Sequence, residues 1–277
     1  DVLAIADGNQ SGDGYKRAFL FNGPDGAIIW SYSYPGPNQT FGKTIVSIGD
    51  VNNDGVPDAA IGVGPNGSDD KKVYCLDGQT GFPIWDWPAL SADNNPKEIL
   101  ELPITGETPD LIVGEYFAKV HRIDGETGTA LWTYDFGGLT GIIEMSRIGD
   151  INDDGIDDVL IAGFTSAGAS CLSGADGSLL WQYPMGYQNG IATVPDLNGD
   201  GIDEVFVGSG TNATPPGRVH LISGKGDSLF FSYTFPANQV NAVNILPSID
   251  GNGTFEMVGA SDEGLVICFS GGLSPTA

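Results

Sequence analysis

The chain has 277 residues, and its 42 glycines, 17 prolines and 40% hydrophobic residues are typical of short strands joined by tight turns around a core, which excludes disorder. Its 36 acidic residues against 11 basic ones give a net charge of −25, which disfavours binding to nucleic acid and to anionic membranes. No apolar run reaches the roughly 18 residues that a transmembrane helix needs, so no membrane insertion is predicted.

A turn motif followed by an aromatic strand recurs along the chain with a period of about fifty residues. Each copy consists of an apolar strand, a turn of the type [DNS]-G-x-x-G or similar, and a strand that carries an aromatic residue. The aromatic residues follow one another at steps of 55, 47, 49 and 50 residues, and they are Trp30, Trp85, Trp132, Trp181 and Phe231. A sixth copy begins at residues 269–271 and stops before its aromatic strand.

Each full repeat has room for four short strands, which in the second repeat are predicted at residues 44–48, 59–63, 72–76 and 82–87. Four strands in about 45 to 50 residues is the spacing of a propeller blade. The sequence therefore predicts an all-β fold, a β-propeller of about six four-stranded blades in a single domain over residues 1–277. The predicted repeats are approximately 1–35, 36–90, 91–138, 139–186, 187–238 and 239–277. Because a blade cannot bury both faces alone, the aromatic residues are expected to pack between neighbouring repeats.

The two terminal repeats are incomplete. The first begins at its second strand, with Asp1 where the last residue of the loop before that strand would stand, and the sixth ends after its third strand. We expect that a segment before Asp1 was removed or left out. Either the parent protein is longer, and seven or eight blades are compatible with the pattern, or another chain supplies the missing strands.

A nine-residue acidic loop, D-x-N-x-D-G-x-x-[DE], separates the predicted first and second strands of three repeats. Oxygen side chains at loop positions 1, 3 and 5 can converge on one hard cation, glycine at position 6 permits a sharp turn, and position 7 can offer its backbone carbonyl. The first six positions match the start of an EF-hand loop, but the closing carboxylate comes at position 9.

The sequence predicts three Ca²⁺ sites. Mg²⁺ is disfavoured because it prefers a small octahedral shell and keeps its waters. The alternative is an Asx-rich turn without metal.

Two repeats depart from this loop pattern. The loop at residues 102–110 keeps only its last carboxylate, Asp110, so no metal is predicted there. The loop at residues 248–256 has Ser248 at position 1 and Asn252 at position 5, so a weaker fourth Ca²⁺ site is expected near Asp250, Asn252 and Glu256. An acidic cluster at residues 7–13 could bind a cation but is interpreted as a polar loop.

With these motifs, the chain resembles the FG-GAP/VCBS class of integrin-like, calcium-binding propeller repeats. The D-G-x-T-G-x-x-x-W element resembles the tryptophan motif of PQQ-dehydrogenase-type propellers. The resemblance covers essentially the whole chain and implies a propeller, but it does not fix a function. It implies Ca²⁺ ligands at positions 1, 3, 5, 7 (through its carbonyl) and 9 of each loop. These residues are Asp50, Asn52, Asp54, Val56 and Asp58; Asp150, Asn152, Asp154, Ile156 and Asp158; and Asp196, Asn198, Asp200, Ile202 and Glu204.

Residues that could suggest catalysis are interpreted as structural. Cys75, Cys171 and Cys268 occupy equivalent positions in alternate repeats, so they are expected to lie too far apart for disulfides and to be buried as small apolar side chains. His121 and His220 are equivalent residues of two third strands, and neither has a nucleophile or zinc signature beside it. We therefore expect no enzymatic activity, no catalytic residue and no organic cofactor.

We expect a non-enzymatic, calcium-stabilised module for adhesion, recognition or surface assembly, located outside the cell or at its surface, with a protein or glycan partner. The location is favoured because extracellular Ca²⁺ modules bind with Kd values of about 10⁻⁴ to 10⁻³ M. Contacts are expected at the insertions at residues 64–71 and 208–217. N-x-[ST] sequons permit glycosylation and start at Asn9, Asn38, Asn66, Asn212 and Asn252.

Three alternative functions stay open. The first is a carbohydrate-active enzyme such as a Ca²⁺-dependent polysaccharide lyase, although 11 basic residues make a basic catalytic cluster hard to assemble. The second is a quinone-dependent dehydrogenase, suggested by the tryptophan motif. The third is a subunit of a surface filament or oligomer that is completed by strand exchange at the incomplete terminal repeats.

Overall fold

The structure is a computed structural model, and it describes residues 1–6, 17–33, 40–64, 72–88, 95–117, 119–137, 141–163, 168–211, 214–236, 239–249 and 251–271. Regular structure in these residues consists of β-strands, as the sequence predicts. A search of these residues for a long apolar helix that could cross a membrane finds none.

The strands form antiparallel sheets in which neighbours in the chain are neighbours in the sheet. Within the described residues there are six such sheets, two with three strands and four with four. The chain divides into two compact units, Asp1–Gly138 and Leu139–Ala277, with three sheets in each.

The first unit holds a three-stranded sheet and two four-stranded sheets. The first sheet consists of β1 (Val2–Ala6), β2 (Arg17–Phe21) and β3 (Ile28–Ser33). The second consists of β4 (Thr40–Ile48), β5 (Asp58–Gly64), β6 (Lys72–Leu76) and β7 (Pro83–Pro88). The third consists of β8 (Pro96–Leu102), β9 (Asp110–Glu115), β10 (Lys119–Ile123) and β11 (Ala130–Asp135). The strands predicted for the second repeat agree within one residue, except that β4 starts four residues earlier, at Thr40.

The second unit holds two four-stranded sheets and a three-stranded one. Its first sheet consists of β12 (Ile142–Ile148), β13 (Asp158–Gly163), β14 (Ala169–Leu172) and β15 (Leu179–Tyr183). The next consists of β16 (Gln188–Val194), β17 (Glu204–Thr211), β18 (Thr214–Ile222) and β19 (Leu229–Thr234). The last consists of β20 (Val240–Leu246), β21 (Glu256–Ser261) and β22 (Val266–Ser270).

Within each unit the sheets stack, and the core lies between them. The first strands of neighbouring sheets contact one another: β4 contacts β8, and β16 contacts β20. Every residue of the second strands β5, β9 and β13 is buried, and β5 has a sheet of its own unit against each face. Stacked four-stranded antiparallel meanders are the blades of a β-propeller, so the fold prediction of about six blades is confirmed.

Four of the predicted aromatic residues pack between two sheets of one unit, as expected, namely Trp30, Trp85, Trp181 and Phe231. The indole Nε1 of a tryptophan on one outer strand donates a hydrogen bond to the carbonyl of the first turn glycine in the next blade. The three such pairs within units are Trp30 with Gly78 (2.8 Å), Trp85 with Gly125 (3.0 Å) and Trp181 with Gly224 (2.8 Å). The indole ring lies against the second glycine of the same turn, where a Cβ atom would approach it to less than 3 Å.

Two expectations need correction. Cys75 and Cys171 are buried, but Cys268 is exposed, because it lies on the outermost strand of a three-stranded sheet. Residues 208–217, expected to be a loop insertion, are largely strand, since β17 runs to Thr211 and Thr211 pairs with Thr214 of β18.

Several other predicted features fall outside the described residues. These are the acidic cluster at residues 7–13, the insertion at residues 65–71, Asp250, and the sequons at Asn9, Asn38, Asn66 and Asn212.

Candidate metal centres in the loops between first and second strands

The three acidic loops share one backbone conformation. Position 4 has a positive φ of 62° at both Asn53 and Asp153, and position 6 is a glycine with positive φ in each loop. Asparagine and aspartate tolerate this left-handed region better than other non-glycine residues. In the third loop position 4 is itself a glycine, Gly199, with φ 82°. The motif therefore encodes two left-handed residues that curl the chain around its first carboxylate.

The oxygens at loop positions 1, 3 and 5 point inward and accept hydrogen bonds from the loop's own backbone. In the first loop Asp50 Oδ2 accepts from Gly55 N at 2.8 Å, and Asn52 Oδ1 accepts from Asp54 N at 3.0 Å. Asp54 Oδ1 accepts from the N–H of position 7, Val56, at 2.8 Å. A carboxylate has about four lone-pair sites, so these bonds leave capacity for a cation.

The second and third loops repeat this arrangement. The distances from the glycine N–H at position 6 to the position 1 carboxylate are 2.7 Å for Asp150 and 2.8 Å for Asp196. These backbone donors lower the pKa of both carboxyl groups. At position 3, the side-chain oxygen accepts from the position 5 N–H, at 3.1 Å for Asn152 and 2.8 Å for Asn198. At position 5, the carboxylate accepts from the position 7 N–H at 3.0 Å in both loops, Asp154 from Ile156 and Asp200 from Ile202.

The third loop brings its acids closest together. One carboxylate oxygen from each of Asp196, Asp200 and Glu204 lies within 4.8 Å of the others, a grouping that the described parts of the first two loops do not form. Glu204 is one methylene longer than the aspartate at position 9 of the other two loops, and Asn198 Nδ2 holds its Oε1 at 2.7 Å. Lys225 Nζ lies 3.0 Å from Asp200 Oδ2 and lowers the pKa of that carboxyl.

The position 9 carboxylate joins the loop to the turn before the fourth strand. Asp58 Oδ2 accepts from Val51 N at 2.8 Å, and Asp58 Oδ1 accepts from Gly78 N at 2.7 Å. We call this pair of hydrogen bonds, from the second loop residue and from the first turn glycine, the carboxylate clasp. Asp158 makes the same clasp to Ile151 N (2.9 Å) and Gly174 N (3.0 Å).

Burial of the clasp changes its acidity. It raises the pKa of Asp58, and it raises the pKa of Asp158 to about 6, against the opposing effect of the two backbone donors. Burial also raises the pKa of Glu204 in the third loop. A cation near these groups would favour their charged forms.

The clasp persists where the cation oxygens are missing. In the loop at residues 102–110, Asp110 Oδ1 still accepts from Gly125 N at 3.0 Å. Its second donor is Arg122 Nε at 2.6 Å, because Pro103 at position 2 has no N–H. In the first sheet Asp1 Oδ1 accepts from Gly23 N at 3.0 Å, the same bond that Asp58 and Asp158 accept from the first turn glycine.

Arg122 is the residue of this site that the sequence reasoning missed. The available signal was Pro103, because a proline at the donor position requires another donor for a buried carboxylate. The donor set of the three acidic loops, which consists of carboxylate, amide and carbonyl oxygens, fits a hard cation such as Ca²⁺. All fifteen predicted ligands lie in these loops, and the structure brings Asp196, Asp200 and Glu204 together as a group.

A family comparison matches most of the chain. The PQQ_2 family model, described as outer membrane protein assembly factor BamB, matches residues 17–240. The chain belongs to this BamB-like PQQ_2 family. This match agrees with the resemblance of the tryptophan element to PQQ-type propellers, whereas the likeness to FG-GAP/VCBS repeats stays a prediction.

Solved structures resemble this BamB-like chain at low identity. Sqt1 from Saccharomyces cerevisiae has a TM-score of 0.68 at 13% identity, covering 95% of this chain and 68% of its own. BBS1N in complex with ARL6DN has a TM-score of 0.63 at 11% identity, with coverages of 99% and 76%. BamB from Moraxella catarrhalis has a TM-score of 0.48 at 14% identity, with coverages of 96% and 78%. Comparison with curated protein sequences gives no match. At such identities the first two structures show the propeller fold alone.

Proposed function

We propose that this chain is a calcium-stabilised, non-enzymatic protein-binding module of an assembly outside the cell or at its surface. The observation that carries the proposal is membership of a propeller family whose model is described as an assembly factor. A propeller presents rigid strands with loops at both ends of each blade, a frame suited to binding partners. The BBS1N propeller, determined in complex with ARL6DN, is an example of such use.

The calcium part of the proposal rests on the third loop. Asp196, Asp200 and Glu204 would hold the ion, with Asn198 and the carbonyl of Ile202 as neutral ligands. The ion would neutralise converging carboxylates and cross-link the two ends of the loop. The role of the ion in this proposal is structural.

The non-enzymatic part is supported by where the histidines lie. His121 is fully buried, its Nδ1 lies 2.8 Å from Thr133 Oγ1, and its ring packs against Trp87 at 4.8 Å between centroids. Burial lowers the pKa of His220, the equivalent residue of β18. Both imidazoles therefore serve the interior of a blade.

Calcium binding is tested by thermal unfolding of the wild type and of Asp200→Asn at increasing Ca²⁺, with bound metal counted by elemental analysis. A ligand at about 100 times its Kd adds about 2.7 kcal/mol to the free energy of unfolding, so the melting temperature of the wild type should rise by several degrees. Asp200→Asn should bind one Ca²⁺ fewer. The matched control is Glu107→Gln in the loop without cation oxygens, which should behave as wild type. A melting temperature that changes with neither Ca²⁺ nor EGTA would refute the proposal of calcium stabilisation.

The binding role is tested by chemical cross-linking of the native protein to a surface-protein extract, with a heat-unfolded sample alongside. A partner that couples at a fixed stoichiometry to the native protein alone supports the role. Equal capture by the native and unfolded samples refutes it.

A further inference from the structure

The third acidic loop differs from the other two because a positively charged side chain already lies on it. Lys225, in the turn before β19, places its Nζ 3.0 Å from Asp200 Oδ2. The other oxygen of this carboxylate accepts a hydrogen bond from Ile202 N at 3.0 Å. Asp200 is also one of the three acids whose oxygens lie within 4.8 Å of one another. The ammonium is therefore bonded to an acid that the proposed Ca²⁺ needs as a ligand.

The residue at the place of Lys225 is uncharged in the other two loops. In each of the three turns, the residue after the first glycine donates its backbone N–H to the side chain of the residue before that glycine. The donors are Gln79 (to Asp77, 2.8 Å), Ala175 (to Ser173, 3.2 Å) and Lys225 (to Ser223, 3.2 Å). This shared bond makes the three donors structurally equivalent, so the positive charge is specific to the third loop.

The second loop has neutral donors where the third has the ammonium. Asp154 occupies position 5 there, and its Oδ2 accepts from Ser173 Oγ at 2.9 Å and from Asn152 Nδ2 at 2.8 Å. In the third loop the corresponding amide, Asn198 Nδ2, donates instead to Glu204 Oε1 at 2.7 Å. Lys225 thus takes over a bond that neutral groups make in the second loop.

The ion pair lies where it can open. The side chains of Lys225 and Asp200 are 48% and 32% exposed. An exposed pair contributes little to stability, because both charges can be hydrated and the long side chain loses rotamer freedom when it is held. Lysine also has a flexible four-carbon stem. The ammonium can therefore leave the carboxylate for water at small cost.

Ca²⁺ and an ammonium group cannot share Asp200 without repulsion. Either cation favours the ionised carboxylate and reduces the repulsion among the acids of the loop. A divalent ion held by Asp196, Asp200 and Glu204 would lie close to Nζ of Lys225, and like charges repel at short range. Ca²⁺ must therefore either displace the ammonium or bind against this repulsion, and both lower its affinity.

We propose that Lys225 is a built-in competitor of Ca²⁺ at the third loop. Its ammonium neutralises Asp200 while no ion is bound and moves into solvent when Ca²⁺ binds. The lysine thereby raises the Ca²⁺ concentration at which this loop fills above the one that its acids alone would set. The chain thus carries one site whose occupancy is regulated separately from the other two. This inference deepens the proposed calcium stabilisation and rests on it.

The test measures Ca²⁺ affinity at each loop separately, by nuclear magnetic resonance of the full chain. The position 6 glycines Gly55, Gly155 and Gly201 each donate a backbone N–H to the position 1 carboxylate of their own loop, at 2.8, 2.7 and 2.8 Å. The amide signal of each glycine therefore reports binding in its own loop during a titration with CaCl₂. The midpoint of each titration gives the Kd of that loop.

Removal of the ammonium should tighten binding at the third loop alone. In Lys225→Gln we expect the Gly201 midpoint to fall about three- to tenfold and the midpoints of the other two loops to stay unchanged. Raising the salt concentration to about 0.5 M should reduce this difference from the wild type, because salt screens exposed charges. The matched control is Lys72→Gln, which breaks a partly exposed lysine–aspartate pair with Asp86 (2.7 Å) in another blade and should change no midpoint.

The reverse substitution transfers the lysine to the second loop. Ala175→Lys places an ammonium at the equivalent turn position and should raise the Gly155 midpoint about three- to tenfold, with the Gly201 midpoint unchanged. A general loosening of the blade cannot produce both results, because it would weaken binding in either variant.

Thermal unfolding separates competition from a purely structural role of the ion pair. In EGTA, Lys225→Gln should melt about 1–2 °C below the wild type, because Asp200 loses its internal cation. In excess Ca²⁺ this difference should vanish or reverse, because tighter binding adds more stability by mass action. A pair with only a structural role would lower the melting temperature equally under both conditions.

The possible outcomes are distinct. A lower Gly201 midpoint in Lys225→Gln supports the proposal, as does binding at the third loop in that variant but not in the wild type. An unchanged or higher Gly201 midpoint in Lys225→Gln overturns it and leaves calcium binding by the wild type intact. No response to Ca²⁺ at any of the three glycines, in the wild type or the variants, refutes the calcium proposal itself and this inference with it.

Discussion

Arg122 Nε lies 2.6 Å from Asp110 Oδ2 and completes the carboxylate clasp in the one loop whose second residue is a proline. In the other loops that bond comes from the backbone, as from Val51 N to Asp58. A side chain has therefore replaced a lost backbone donor, which indicates that the clasp is needed for the blade irrespective of any cation.

Replacing this donor should destabilise the protein. Arg122→Leu leaves Asp110 Oδ2 buried without this hydrogen bond, at a cost of about 2–4 kcal/mol in the free energy of unfolding. Adding Pro103→Val restores an N–H at position 2 and should recover part of the loss. Urea unfolding of the single and double variants measures both effects. A double variant no more stable than Arg122→Leu alone would contradict the exchange of donors.

The contact between indole and turn glycine can be separated from backbone strain. Gly128 and Gly26 are equivalent turn glycines with the same φ of 69°, but a Cβ on Gly128 would lie 2.7 Å from the Trp85 ring, whereas one on Gly26 would meet nothing within 4 Å. Gly26→Ala should cost about 1–2 kcal/mol for the left-handed backbone alone. Gly128→Ala should cost about 1–3 kcal/mol more, because the indole must move. Equal thermal shifts for the two variants would show that the ring contact contributes nothing.

Glu144 should make stability depend on pH. Burial of this residue of β12 raises its pKa to about 7, only partly offset by a hydrogen bond from Ile191 N. A carboxyl with a raised folded-state pKa favours its protonated form in the fold. Its contribution is therefore complete below the ordinary value of 4.5 and is lost as pH rises towards about 7.

Glu144→Gln should remove this component of the pH dependence. After allowance for partial solvent screening, we expect the wild type to lose about 1–2 kcal/mol relative to the variant between about pH 5 and pH 8. Urea midpoints at constant ionic strength in EGTA provide the measurement, with Glu107→Gln as the control. Parallel pH curves for wild type and Glu144→Gln would rule out the assignment.

The three cysteines should differ in reactivity. Burial raises the pKa of Cys75 and Cys171, whereas Cys268 is exposed. A thiol reagent should therefore modify one cysteine rapidly in the native protein and all three after denaturation. Mass spectrometry of the modified peptides should place the fast label on Cys268. Fast labelling of Cys75 would mean that its blade opens readily.

The sequence was sufficient to predict the strands of the blades but not the exposure of every residue on them. Repeat spacing predicted the strands because apolar runs and glycine turns recur in one register, and Trp30, Trp85 and Trp181 lie between sheets as expected. The exposure of Cys268 was missed, since equivalence between repeats was taken to mean equal burial. Burial at this position depends on a strand outside the third strand, and within the described residues no strand pairs with the outer side of β22.

The candidate site was only partly predictable for a related reason. The motif located the loops and the sharp turn at the position 6 glycine, because those are local properties; the left-handed residue at position 4 was not predicted. It did not reveal that the position 9 carboxylate bonds to a turn some twenty residues away, as Asp58 does to Gly78. That contact is set by packing of the blade. The hydrogen bond from Arg122 to Asp110 could not be predicted for the same reason, since the two residues are twelve positions apart in the sequence.

The independence of the clasp from the cation oxygens has a consequence for how such a protein can change over time. A blade whose loop loses its cation oxygens still closes, as the loop ending at Asp110 does, so substitutions there are tolerated one blade at a time. The proposed ion sites could thus be gained or lost one blade at a time during evolution without an unfolded intermediate.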